Sequence, residues 1–229
     1  EPFVGMGGVF LRRTFRPRAE IINDYDGEVA NLFRILQRHF TPFLDMLRYQ
    51  VTSRAHFERL NQTPAESLTD LERAARFLYL QTVAFGGKRR QRHFGMERQG
   101  GARFDVTRLV PLLSDVHERL AGVVIEQMDW SAFLDRYDRP AALFYLDPPY
   151  AGTEDYYGDD MFSPADHGRL AERLARLKGR FLLSINDTPE MRKIFGSFDM
   201  EETSATWSLN GAAKSKRGEL LIQGGGDGI

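Results

Sequence analysis

Short apolar runs and helically spaced apolar residues alternate along two stretches of the chain, residues 1–42 and 105–229. Runs typical of buried strands lie at 141–146 and 180–185. Other apolar residues recur at the spacing of an amphipathic helix, as in the series Val29, Leu32, Phe33, Leu36 and Phe40. The end of the chain has the pattern of a hairpin around residues 210–216. Alternating strands and helices predict an α/β fold with a terminal β-hairpin.

Residues 43–104 follow a different pattern, which contains no convincing strand. Helical spacing predicts helices over residues 43–49 and 65–83. This segment therefore predicts a helical subdomain inserted into the α/β domain. The α/β domain would then be discontinuous and consist of residues 1–42 and 105–229.

The composition is that of one globular unit with a smaller subdomain, because the 229 residues are 42% hydrophobic. Thirty-one basic and 32 acidic residues give a net charge of −1, so a surface that binds nucleic acid must be local. The absence of Cys rules out disulfides and thiolate metal sites. No apolar stretch approaches the ~18 residues of a membrane span, and we expect a cytoplasmic protein without membrane contact.

One local surface does concentrate positive charge. Residues 48–103 contain eleven basic and five acidic side chains, a local balance of +6. A glycine-flanked loop in this segment holds Lys88, Arg89, Arg90 and Arg92. Such residues suit phosphate contact, although a basic loop is often only a solvated surface. In the terminal hairpin the same two interpretations apply to a second basic group, Lys214, Lys216 and Arg217.

The start of the chain has the features of a nucleotide-binding loop. Gly5 and Gly7 allow close approach of the backbone to a ligand, and Asp24 follows about 20 residues later at the end of a predicted strand. An acid at that place can bind ribose hydroxyls. Phe10 stands where a dinucleotide fingerprint has its third glycine. The pattern therefore favours an adenosyl group without a pyrophosphate over a nicotinamide or flavin cofactor, unless the segment is only a turn before a helix.

The segment Asp147, Pro148, Pro149 and Tyr150 directly follows the apolar run at 141–146. The prolines restrict the backbone, so the Asp147 carboxylate and the Pro148 carbonyl are held as two acceptors for one amino group. Tyr150 offers a face on which a base can stack. The alternative is an ordinary strand end with a Pro-Pro turn.

The glycine loop at 1–7, the acidic segment at 23–26 and the segment at 147–150, in this order, resemble the Dam-like adenine-specific DNA methyltransferases, including phage and prophage members. The resemblance implies that Phe3, Gly5, Gly7 and Asp24 bind S-adenosylmethionine, together with Asp147. It also implies that Asp129 and Trp130 meet the adenine of the cofactor. Asp129 could equally be a helix N-cap and Trp130 a core residue.

The resemblance further implies a Rossmann-like methyltransferase sheet and a target-recognition insertion at residues 43–104. The implied reaction is methyl transfer to the 6-amino group of an adenine flipped out of duplex DNA. No metal is expected, because the leaving group is a neutral thioether. We expect a monomer or a weak dimer. The usual aromatic-Asn-Gly of the family is replaced here by Phe85, Gly86 and Gly87, so the recognition sequence does not follow from the resemblance.

Three other functions stay open at this point: methylation of amino groups in RNA, methylation of cytosine in DNA, and DNA binding without catalysis. Asp147, Tyr150 and Asp24 favour an active enzyme. Family members carry a cofactor-binding segment with Trp, Gly and Lys ahead of the glycine loop, and no residue of this sequence corresponds to it. From this we expect an incomplete N-terminus and weak cofactor binding. The biological role, as a restriction partner, in phage self-protection or in regulation, is not predicted.

Overall fold

A computed structural model describes residues 1–84, 93–94, 103–152, 162–207 and 215–226. The helices are Gly27–Arg38 (α1), Phe40–Arg48 (α2), Arg54–Gln62 (α3), Asp70–Val83 (α4), Val106–Arg119 (α5), Trp130–Tyr137 (α6), Pro164–Leu174 (α7) and Pro189–Ile194 (α8). The strands are Ile21–Asn23 (β1), Val124–Glu126 (β2), Leu143–Leu146 (β3), Arg180–Asn186 (β4), Asp199–Trp207 (β5) and Ser215–Gly225 (β6).

The larger sheet has the strand order β3-β4-β6-β5. Strands β3 and β4 are parallel, with Leu146 opposite Leu183. Strand β6 lies antiparallel between β4 and β5, and Glu219 of β6 is opposite Asn186 of β4. Among the described residues, β1 and β2 form a second sheet. The prediction of a mixed α/β fold is confirmed, and the terminal hairpin is formed by β5 and β6.

The contacts divide the chain into two compact units. The first consists of residues 1–5, 22–25 and 127–229, and the second of residues 6–21 and 26–126. The boundaries of the recognition insertion, 43–104, stay a prediction, because a grouping by contacts does not assign function. Among the described residues, no helix is both long and apolar enough to cross a lipid bilayer.

The core of the first unit is built on the larger sheet. Its buried side chains come from three neighbouring strands and are Phe144, Leu146, Phe181, Leu183, Ile185, Leu220 and Ile222. The sequence at 163–166 predicts a helix start, because it has a cap residue, a proline at the first helical position and an acid in the first turn. Helix α7 begins there, with Ser163 and Asp166 in a capping box. This cap fixes the start of α7, the helix that follows the Pro-Pro segment in the chain.

The second unit is mainly helical. Asn31 of α1 donates to the carbonyl of Asp70 at 2.8 Å, and Glu28 pairs with Arg73, which joins α1 to α4. The predicted helix over 65–83 is wrong at its start. Residues Ala65–Ser67 form a single 3-10 turn, and α4 begins at Asp70, because Thr69 and Glu72 cap each other's backbone N–H groups there.

Candidate active site

The end of β3 places Asp147 beside the neighbouring strand β4. The buried hydroxyl of Ser184 donates to Oδ1 of Asp147 at 2.9 Å. Tyr145 lies 3.3 Å from the same serine oxygen. Because the one hydrogen of Ser184 points to Asp147, the Tyr145 hydroxyl is the donor to Ser184. Asp147 is thus held at the end of a chain of two hydrogen bonds.

Asp147 has an unusual protonation equilibrium. Burial among protein atoms, reinforced by the negative charge of Glu219, raises the pKa of Asp147 to about 6, and the Ser184 hydrogen bond opposes this shift. The residue nevertheless has an exposed surface. The carboxyl group therefore has many protein atoms around it while part of the residue stays in contact with solvent. Such a group is ionised at neutral pH and is a stronger base than an ordinary aspartate.

The segment after Asp147 is held by two further side chains. The carbonyl of Pro149 accepts a hydrogen bond from Nε2 of His167, a buried residue on α7, at 3.1 Å. Asn186, at the end of β4, accepts from the N–H of Ala151 at 3.0 Å and donates to its carbonyl at 3.1 Å. The backbone on both sides of Tyr150 is therefore fixed.

Tyr150 itself is half-buried, and its hydroxyl donates to the carboxylate of Glu219 on β6. Burial, this hydrogen bond and the nearby charges of Asp147 and Glu219 all raise the pKa of Tyr150. The phenol therefore stays protonated at any working pH. A neutral ring whose tip is bound suits the stacking role predicted for Tyr150.

Asp24 and Gly5, both predicted to bind the cofactor, lie in direct contact. The N–H of Gly5 donates to Oδ2 of Asp24 at 2.9 Å. Gly5 has a φ of +50°, which other residues rarely adopt, and a Cβ atom added there meets nothing within 4 Å. The strand-end carboxylate thus braces a glycine turn that has open space beside it.

Gly7 belongs to the second unit, and neighbouring side chains of that unit explain why a glycine stands there. Its φ is +76°, and an added Cβ would lie 3.0 Å from Cγ of Leu11 and 3.3 Å from Cζ of Phe33. Packing against its own unit accounts for the glycine at this position. Its predicted role in cofactor binding stays a prediction.

Asn23 is a structural residue of the site that the sequence did not single out. It is buried, donates to the carbonyls of Pro2 and Met128 at 2.9 and 3.0 Å, and accepts from the N–H of Met128 at 2.9 Å. One amide therefore joins the first residues of the chain to the segment before α6. The only signal in the sequence was an Asn directly before the predicted ribose-binding acid.

Phe3 and Trp130 meet at a common ring, that of Phe162. Phe162 contacts Phe3 edge-on at 5.8 Å between ring centroids and Trp130 at 6.3 Å, and the His167 ring lies 4.9 Å away. Asp129 is the N-cap of α6 and accepts from the N–H of Ser131 at 2.9 Å. The cap and core roles considered for Asp129 and Trp130 are therefore present, and contact of either residue with a cofactor stays a prediction.

Most of the predicted DNA contacts fall outside the described residues, namely Lys88, Arg89, Arg90, Arg92 and Lys214. Lys216 and Arg217 lie on β6, where the structure describes only their backbone. Within the described ranges there is no group of three or more His, Asp or Glu side chains that could hold a metal ion.

Asp147 and Tyr150 thus have fixed hydrogen-bond partners at the end of β3, and Asp24 contacts the Gly5 turn. Their roles toward an amino group, a base and ribose hydroxyls stay predictions. Residues 1–209 match the family model of the D12 class N6 adenine-specific DNA methyltransferases, and the chain belongs to that family. It is accordingly an adenine-specific DNA methyltransferase, and members of this family use S-adenosylmethionine.

Similar proteins carry matching names. Over 96% of its length the chain is 26% identical to the type II methyltransferase M1.LlaDCHI of Lactococcus lactis subsp. cremoris, covering 82% of that protein. It is 25% identical to the DNA adenine methylase of Vibrio cholerae serotype O1, with 96% of this chain and 84% of that protein aligned. The DNA N-6-adenine-methyltransferase of Escherichia phage P1 is 25% identical over 85% of this chain and 27% of the phage protein. The predicted family is confirmed.

Proposed function

We propose that the target adenine leaves the duplex and places its 6-amino group between the Asp147 carboxylate and the Pro148 carbonyl, with its ring on Tyr150. The observation that carries this proposal is the bracing of the segment by Ser184, His167, Asn186 and Glu219. A segment held on both sides of Pro148 can orient a nitrogen lone pair without reorganising during the reaction. Extrusion of a base costs a few kcal/mol, which stacking can offset.

Asp147 is a stronger acceptor when it is ionised than when it is protonated. Its amino-group contact draws electron density toward the nitrogen that forms the new N–C bond. Bound S-adenosylmethionine would supply the methyl group and would keep the electron pair of the S–C bond as a neutral thioether. The nitrogen then loses one proton, and Asp147, with a pKa of about 6, is basic enough to take it.

For the cofactor, the donor set of the chain fits an adenosyl group. Asp24 supplies a half-buried carboxylate at a strand end, and the Gly5 turn leaves open space. We assign Phe3, Gly5, Gly7, Asp24, Asp129, Trp130 and Asp147 to cofactor binding. S-adenosylmethionine supplies the electrophilic methyl group when it is bound.

For the fold and the substrate, we propose a Rossmann-like catalytic domain of residues 1–42 and 105–229 and a recognition insertion of residues 43–104. The excess of basic over acidic side chains in residues 48–103 supports contact of this insertion with DNA phosphates. The basic residues of 88–92 and 214–217 are assigned to the same role.

The test is transfer of labelled methyl from S-adenosylmethionine to unmethylated duplex DNA, followed by digestion to nucleosides. We expect label in methyladenine and about a 10³-fold loss of kcat in Asp147→Ala. Asp45→Ala, the same substitution at an exposed carboxylate on α2, is the matched control and should transfer normally. Label in cytosine, label only with RNA, or wild-type-like transfer by Asp147→Ala would contradict the proposal.

A further inference from the structure

Glu219 belongs to the hydrogen-bonded group that braces residues 147–151. The proposed reaction gives it no separate role. It lies on β6 opposite Asn186, is half-buried, and accepts the hydrogen bond of Tyr150. We propose that Glu219 is a positioning residue for methyl transfer, which holds the Tyr150 ring in the plane that the flipped adenine stacks on. This inference rests on the proposed function of Tyr150.

A tyrosine ring has two torsions, and its backbone alone fixes neither. Asn186 and His167 hold the backbone beside Tyr150, at Ala151 and Pro149 respectively. The bond to Glu219 holds the other end of the same side chain, at the hydroxyl. The ring is then constrained at both ends, so that a stacked base finds a preformed face.

Glu219 is itself fixed by the sheet. Its neighbour Gly218 accepts a backbone hydrogen bond from the N–H of Asp187 at 2.9 Å. A Cβ at Gly218 would lie 3.1 Å from the Cβ of Asp187, so glycine permits this close approach of the two strands. The carboxylate that binds Tyr150 is thus attached to a strand held on both sides, by β4 and β5.

A carboxylate is a costly choice at this place, because its charge lies close to Asp147. The groups that face Asp147 are the hydroxyl of Ser184 and the carboxylate of Glu219, and the ionisable phenols Tyr145 and Tyr150 are in the same group. Glu1 adds a further interaction with Tyr145. A neutral acceptor could hold the phenol without opposing ionisation of Asp147. The charged one makes a stronger hydrogen bond to the phenol.

The experiment compares kcat, the KM for DNA and the pH profile in four variants. Tyr150→Phe and Glu219→Ala should each lower kcat about tenfold, with the KM for DNA changed less than about threefold. Their combination should also be lowered about tenfold, because the two changes remove one interaction. Glu219→Gln keeps an acceptor oxygen, so kcat at pH 8 should stay within about threefold of wild type.

The pH profile separates positioning from a merely structural role. In Glu219→Gln the acid limb of kcat should move to lower pH, because a negative charge beside Asp147 is gone. The matched control is Glu201→Gln, an exposed residue on the adjacent strand β5, which should keep the wild-type profile. Wild-type kcat and pH profile in Glu219→Ala, or multiplied losses in the double variant, would overturn the inference alone. Absence of methyl transfer by the wild-type protein would instead overturn the proposed function.

Discussion

The segment 147–151 and the loop 1–5 are both held by side-chain hydrogen bonds, but by different chemistry. The first uses mainly ionisable or hydroxyl side chains, among them Asp147, Glu219 and Tyr150, in addition to the amide of Asn186. The second is held through the neutral amide of Asn23 and the Asp24 contact to a backbone N–H. The difference indicates that the acceptor side of the reaction responds to pH, whereas the loop responds mainly to the loss of buried hydrogen bonds.

The largest expected effect comes from Phe162, whose ring contacts Phe3 of the loop 1–5 and also His167, the residue that binds Pro149. Phe162→Ala should lower the free energy of unfolding by about 3 kcal/mol, because it removes a buried ring that Phe3, Trp130 and His167 contact. Cofactor affinity and kcat should fall together in this variant. Urea unfolding and equilibrium cofactor binding measure the two effects. Phe162→Leu should retain most of the stability, and equal losses in both variants would speak against a packing role.

Two asparagines offer a matched comparison of the regions. Asn23→Ala should cost about 2 kcal/mol of stability, since it removes the partner of three buried or partly buried backbone groups, and it should weaken cofactor binding. Asn186→Ala removes two hydrogen bonds to the backbone of Ala151, which is partly exposed, and should lower the free energy of unfolding by about 1 kcal/mol. Its effect on function should be a lower kcat. Denaturant titration measures the loss of stability in each variant, and steady-state kinetics measures the functional loss. If both variants change the same kinetic parameter, the predicted distinction between the two regions is wrong.

A smaller effect is expected for Asp24, the acid proposed to bind the ribose of the cofactor. Asp24→Asn keeps an acceptor for the Gly5 N–H but loses the charge, and cofactor affinity should fall about tenfold with kcat nearly unchanged. Isothermal titration with S-adenosylmethionine measures this. Asp105→Asn, at the N-cap of α5, is the control, because Asn caps a helix as well as Asp does. A comparable loss of affinity in Asp105→Asn would show that the effect does not come from the position of Asp24.

The smallest expected effect is on the pH dependence of stability. Because the pKa of Asp147 is raised to about 6, the folded state binds more protons than the unfolded state between about pH 4 and 6. Stability from this group therefore decreases as pH rises through that window and is constant above it. Asp147→Asn should remove the decrease, so the variant should gain stability relative to wild type between pH 4 and 7. The free energy of unfolding measured at several pH values tests this prediction, with Asp45→Asn as the control. A stability difference between Asp147→Asn and wild type that does not change with pH would contradict it.

The parts of the site that the sequence predicted lie within a few adjacent residues. Asp147 to Tyr150 and the cap of α7 are local signals, because prolines and capping side chains act on their own neighbourhood. The helix predicted to start at Ala65 was wrong for a related reason. Helical spacing of apolar residues shows a face but not its first residue, and the capping box at Thr69 decided the start.

Only the tertiary structure identified the residues that brace the site. The partners of the 147–151 segment lie far along the chain, at separations of 37 residues for Ser184, 18 for His167, 35 for Asn186 and 69 for Glu219. In the sequence each is an ordinary polar residue on a strand or helix. The sequence alone determined the family, the α/β class and the two acidic strand ends, because those depend on local pattern. The pairing of β3, β4 and β6 determined which polar side chains meet, because strand order and register bring distant residues to one edge of the sheet.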